Sequence, residues 1–84
     1  MVDRQLTTPL YLQLTDRIAA DIWTGALKPG QQLPSEAELE QAHQMSRGTV
    51  RTAMGRLRER GLVYTILARG TFVSDPLPRL SRQN

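Results

Sequence analysis

Leu10, Leu14, Ile18 and Ile22 recur every four residues between Pro9 and Gly25, with Tyr11 beside them and polar residues between. That spacing is the apolar stripe of an amphipathic helix. It predicts a helix over 9–24, with Thr8 as the capping hydroxyl, Pro9 as the first helical residue and Gly25 as the stop. Leu12, Ala19 and Trp23 form a second stripe on the same helix, read as core or as domain-contact surface. Lys28-Pro29-Gly30-Gln31 then places proline and glycine at the two central positions of a type II turn, where glycine supplies the positive φ. Ser35 and Glu38 stand at the S-x-x-E spacing of a capping box and open a helix of barely two turns with Leu39 and Ala42 inward. Ser46 is a further capping hydroxyl, and Val50, Ala53, Met54 and Leu57 follow at i, i+3, i+4 and i+7 until Gly61 closes the third helix.

Beyond Gly61 the pattern becomes extended. Residues 62–66 and 71–74 read as two strands around a tip at 67–70, which is a β-hairpin. Two helices joined by a short turn and followed by a hairpin make a mainly α domain with a small β-hairpin, a winged helix-turn-helix. The expected organisation is an N-terminal arm at 1–8, the domain at 9–74, and a linker or tail at 75–84, where Pro76, Pro78 and a polar end break the pattern.

Composition narrows the chemistry. Eighty-four residues make one small domain, and 39 % apolar with 23 % charged residues is a globular balance. The absence of cysteine removes disulfides, thiolate metal sites and thiol nucleophiles, and permits a reducing compartment. No apolar stretch approaches the roughly 18–20 residues of a membrane span, and the N-terminus lacks a signal peptide's apolar centre, so a cytoplasmic location is expected. His43 has no second histidine or spaced carboxylate cluster around it, which argues against a metal site or a catalytic triad. Glu36, Glu38 and Glu40 serve the capping box and the field of a helix start better than they serve as catalytic carboxylates, because the helix is too short to build a pocket. No enzyme and no cofactor are expected.

The net charge of +3 is unevenly spread. Residues 1–43 carry Arg4, Arg17 and Lys28 against six acidic side chains, whereas 44–74 carry Arg47, Arg51, Arg56, Arg58, Arg60 and Arg69 against Glu59 alone. An arginine-rich half on a small domain points to a polyanionic partner, with nucleic acid ahead of acidic lipid or acidic protein.

Six motifs in order, Pro9-Leu10-Tyr11, Gly25-Ala26-Leu27-Lys28-Pro29-Gly30, Leu33-Pro34-Ser35-Glu36, Ser46-Arg47-Gly48-Thr49-Val50-Arg51, Gly61-Leu62-Val63 and Arg69-Gly70-Thr71-Phe72-Val73, resemble the DNA-binding domain of the GntR family of bacterial transcription regulators. The likeness covers about 9–74, and the wing resembles the HutC-type branch. It implies a winged helix that binds double-stranded operator DNA as part of a repressor. It also implies a separate effector-sensing, dimerising domain beyond this chain, so that this chain is a monomer without DNA and sits as two copies on a palindromic site. Two departures stand out. The arginine that often follows Ser-Glu in the family is Ala37 here, so that contact is lost or moved. The wing tip, Gly-Arg-Gly in the family, is Ala68-Arg69-Gly70, and alanine takes positive φ reluctantly.

Against that background the third helix's outer face gains meaning. At 100° per residue from Ser46, Arg47, Arg51 and Arg58 fall near 100°, 140° and 120°, and Gly48, Gly55 and Thr52 at about 180° to 240°, away from the apolar stripe. Exposed arginines are ordinarily a solvated surface, but two glycines inside a helix cost roughly 1 kcal/mol each and suit close approach to a groove. Arg47 and Arg51 are assigned direct readout of bases, since arginine bonds guanine O6 and N7 together. Ser35 and Ser46 either cap their helices or also meet phosphates, the two roles being compatible, with Thr49 as a further hydroxyl donor. Arg69 is either an exposed turn residue or, as the resemblance implies, a contact at the minor groove, and Gly70 serves the turn. Two alternatives remain beside DNA binding by a repressor: a winged helix used for protein contact, and the N-terminal domain of a regulator fused to an aminotransferase-like domain.

Overall fold

The computed structural model describes residues 7–78, and residues 1–6 of the expected arm at 1–8 and 79–84 of the expected tail at 75–84 lie outside those described. Three helices, α1 (Leu10–Thr24), α2 (Glu36–His43) and α3 (Arg47–Glu59), precede the strands β1 (Val63–Ile66) and β2 (Gly70–Val73). The strands are antiparallel, with Val63 opposite Val73 and Ile66 opposite Gly70. The expected winged helix-turn-helix is therefore present.

The core lies between α1 and α3, the largest helix contact. Leu14 and Ile22 from α1 meet Val50, Met54 and Leu57 from α3, all almost fully buried. Burying each such side chain contributes about 1.5–3 kcal/mol, which offsets the chain entropy a short helix cannot recover alone. Leu39 and Met45 close one end of this core, and Leu62, Val63 and Val73 the other.

Local signals explain most of the boundaries. Both halves of the capping box form: Ser35 Oγ accepts from the Glu38 N–H at 3.0 Å, and Glu38 Oε1 accepts from the Ser35 N–H at 2.8 Å. The turn at 28–31 closes with the Gln31 N–H donating to the Lys28 carbonyl at 2.9 Å, with Gly30 at φ +83°. At the end of α3 the Leu62 and Gly61 N–H groups donate back to the carbonyls of Leu57 and Arg58. Gly61 is at φ +76°, and buried Leu57 and Leu62 make this a Schellman stop with its apolar pair.

Two expectations, for Thr8 and Ala42, need correction. Thr8 does not cap α1 with its hydroxyl: Pro9 is the N-cap, with extended ψ of 145° and no side-chain cap. The Pro9 carbonyl takes the first N–H groups, and the Gln13 side chain instead reaches the Thr8 carbonyl. Ala42 is exposed, because α2 turns its Leu39–His43 edge inward, four residues apart and so more nearly in line than Leu39 and Ala42. The second stripe on α1 splits, with Ala19 in the core and Trp23 41 % exposed.

The hairpin has a third partner. Residues 30–33 run antiparallel to β2: Gly30 N–H donates to the Val73 carbonyl, Val73 N–H to the Gln31 carbonyl and Leu33 N–H to the Thr71 carbonyl, each at 2.8 Å. Gln32 and Phe72 form the bridge between them. A two-stranded hairpin is marginal alone, and this added edge gives it a neighbour on the body of the domain. Leu77, within the segment expected to be linker, packs partly against the core.

Candidate nucleic-acid interface

Gln44 makes the turn between α2 and α3 by taking left-handed φ and ψ of 53° and 48°. Asparagine or glycine would be more usual there. Its consequence is that the N-terminal ends of α2 and α3 are drawn to one side. Glu36, the first residue of α2, lies 3.9 Å from the Nε of Arg51 on α3. The pair is largely exposed and long, so it adds little stability but gives the guanidinium a resting place.

Ser46 caps α3 by accepting from the Thr49 N–H at 3.2 Å, and its own hydroxyl donates to Thr49 Oγ1 at 2.9 Å. The Ser46 proton is thereby used locally, while the Thr49 hydroxyl accepts and keeps its own proton to donate. Ser35 accepts in its capping box and likewise retains a donor. Arg47, Gly48, Arg51 and Thr52 are all exposed on α3. A side chain at Gly48 or Gly55 would meet nothing within 4 Å. Internal packing therefore gives no reason for either glycine.

The six arginines of the basic block divide by partner. Arg60 pairs with Asp16 of α1 at 3.4 Å, and Arg56 with Glu59 at 3.0 Å, its guanidinium lying over the Tyr11 ring at 5.7 Å. Arg58 donates to Thr65 Oγ1 at 3.1 Å, and Thr65 in turn meets Thr71 across the hairpin at 3.0 Å. Arg51 has only the long contact to Glu36. Arg47 and Arg69 have no side-chain hydrogen bond or ion pair among the described residues. Thus Arg56 and Arg60, toward α1, have close carboxylate partners, whereas among the described residues Arg47 and Arg69 have none and Arg51 has a long, exposed one.

At the tip the turn closes with the Arg69 N–H donating to the Ile66 carbonyl at 2.9 Å. Ala68 does adopt a positive φ, 67°, despite the expected reluctance of alanine. Gly70 is the first residue of β2, rather than a residue of the turn as expected, and has φ +128°. That φ favours glycine, and a Cβ there would in addition lie 2.5 Å from the side-chain nitrogen of Gln32. Sequence reasoning passed over Glu36 as a partner for Arg51, although an acidic residue at the start of α2 is a visible signal. It passed over Gln32 for want of any.

His43 ends α2 as expected, and burial, with the Arg17 charge behind it, lowers its pKa below the ordinary histidine value. Among the described residues no group of three or more His, Cys, Asp and Glu could hold a metal ion, and no helix is long and apolar enough to cross a membrane.

The sequence profile of the bacterial regulatory proteins of the gntR family matches residues 10–73. The chain belongs to that family. The arabinose metabolism transcriptional repressor of Geobacillus stearothermophilus is 43 % identical over 76 residues, 90 % of this chain and 21 % of the repressor. A histidine utilization repressor of Klebsiella aerogenes is 34 % identical over 73 residues, 87 % of this chain and 30 % of that protein. Among solved structures, the AraR DNA-binding domain in complex with operator ORX1 superposes with a TM-score of 0.80 at 36 % identity, covering 88 % of this chain and 93 % of that one. This gntR-family chain spans less than a third of the length of either repressor.

Proposed function

We propose that this chain binds double-stranded DNA sequence-specifically, as the operator-reading domain of a gntR-family transcription repressor. The division of the arginines carries the reading: Arg47 and Arg69, without an acidic partner among the described residues, and Arg51, with only a long one, lie where a helix and a wing would meet a duplex, whereas Arg56 and Arg60 have close carboxylates. The similarity to a DNA-binding domain bound to its operator supports it. Arg47 and Arg51 read base edges in the major groove, with guanine as the preferred partner. Gly48 lets the helix backbone approach. The hydroxyls of Ser35 and Thr49, with backbone N–H groups at the starts of α2 and α3, donate to phosphates, and Ser46 holds that end in shape. Arg69, freed for close approach by Gly70 behind it, enters the minor groove. A protein-contact module would instead require an apolar outer face on α3, where Arg47, Gly48, Arg51 and Thr52 stand.

Binding to a labelled duplex is expected to weaken steeply and linearly, log affinity against log salt, because arginines replace counterions condensed on the phosphates. A flat line between low and physiological salt would overturn the DNA reading.

Two copies are proposed to fill a palindrome, held together mainly by the duplex. Without a tethered partner the second copy gains no effective concentration. Sedimentation at micromolar concentration is expected to find a monomer in the absence of DNA, and a stable free dimer would contradict this arrangement.

A further inference from the structure

We propose that Gln32 is a positioning residue for the wing, its side-chain amide clamping the tip so that Arg69 faces the duplex in one orientation. The proposal rests on the reading that Arg69 touches DNA.

Gln32 lies outside both α3 and the hairpin, in the segment that runs from the turn at 28–31 into α2. Its backbone bridges Phe72, which brings its side chain along the edge of β2 toward the tip. There Gln32 Nε2 donates to the Arg69 carbonyl at 2.9 Å, joining residues 37 apart in sequence. Glycine at position 70 leaves room for that amide as placed, since a Cβ would stand 2.5 Å from Nε2 and 3.5 Å from Cδ. The carbonyl in question belongs to Arg69 itself, so fixing its peptide plane fixes the direction in which the arginine leaves the backbone.

A second tie acts lower on the wing. Arg58 holds Thr65, and Thr65 holds its cross-strand neighbour Thr71, which fastens the middle of the hairpin to α3. With its middle tied to the base-reading helix and its tip tied to Gln32, the wing is restrained from swinging about its four-residue strands. The tip contact is exposed, so it contributes little to global stability. Its effect is on orientation.

Gln32→Glu keeps the side chain's shape and replaces the donor with a carboxylate that faces a carbonyl, acceptor against acceptor. Gln32→Ala removes the group altogether. In the free protein, 15N relaxation of residues 67–70 is expected to show strand-like order in the wild type and order parameters falling below about 0.6 in both variants. Unchanged order at the tip would overturn the clamp. On DNA, two duplexes are compared that share one core site and differ in A-tract or G·C flanks, because a narrow A·T-rich groove attracts an inserted arginine. Gln32→Glu is expected to erase most of the wild type's preference for A-tract flanks, as Arg69→Ala does, and the double variant to lose no more than either. The penalty for scrambling the core site stays unchanged. A Gln32→Glu variant that keeps the full flank preference, or losses that simply add, would overturn the positioning role. A wild type indifferent to flanks would remove Arg69 from the groove and the clamp's purpose with it. A wild type that binds no duplex at all would sink the DNA reading instead, while the relaxation measurement still decides the clamp.

Discussion

Leu57→Ala is expected to cost the domain about 2–5 kcal/mol, as large-to-small changes in a packed core do. Leu57 is fully buried, sits where α3 meets α1, and supplies the carbonyl and the apolar half of the Schellman stop that turns the chain into β1. Removing its branched end leaves a cavity beneath Leu14, Met54 and Leu62 that a three-helix core of this size has little material to refill. A domain of 84 residues holds roughly 4–13 kcal/mol in all, at about 0.05–0.15 kcal/mol per residue. The variant therefore loses a large share of that stability, and approaches half-unfolding if the wild type lies at the low end of the range. Urea denaturation followed by helical circular dichroism measures this directly, and a loss below about 1 kcal/mol would show that the α1–α3 contact is not the centre of the fold.

Arg51→Ala is expected to lose roughly 1–3 kcal/mol, about 5- to 150-fold, on the preferred duplex and far less on a scrambled one. Arg47→Ala is expected to behave alike. Both side chains are exposed in the first two turns of α3, neither has a close internal partner, and their loss disturbs no packing. The test is a comparison of each variant on a selected and a scrambled duplex of equal length. Equal losses on the two would move these arginines from base edges to phosphates. Glu36 bears on the size of the effect, because its long, exposed contact with Arg51 is given up or kept on binding.

Most of the architecture was legible because this chain punctuates itself. Ser35, Ser46 and Gly61 each carry a local mechanism, and the structure uses all three as caps or stops. The misreadings have a common origin in tertiary geometry. Ala42 and His43 both sit one turn from Leu39, and only the packing of α2 decides which of them turns inward. Gly70 looked like a turn residue, but it opens β2 at a φ of +128° with the Gln32 side chain against it, a neighbour that no local pattern connects to it. The basic block was plain as a sum of charges, while its division depended on Asp16, Tyr11 and Thr65, residues far from their arginines in sequence or on another element. Charge can be counted from a sequence, but compensation has to be seen in space.

The pairing of β2 with both β1 and residues 30–33 ties the end of the domain to its beginning. During synthesis α1 emerges first, yet the strand that fixes the turn behind it, and Val73 that seals the core beneath, come last. Every shorter nascent piece bears Leu14, Ile18 and Ile22 without their full cover, and contacts of such long sequence separation are slow to reward the closure that makes them. A domain stopped short of its last strand therefore leaves that apolar face of α1 partly uncovered.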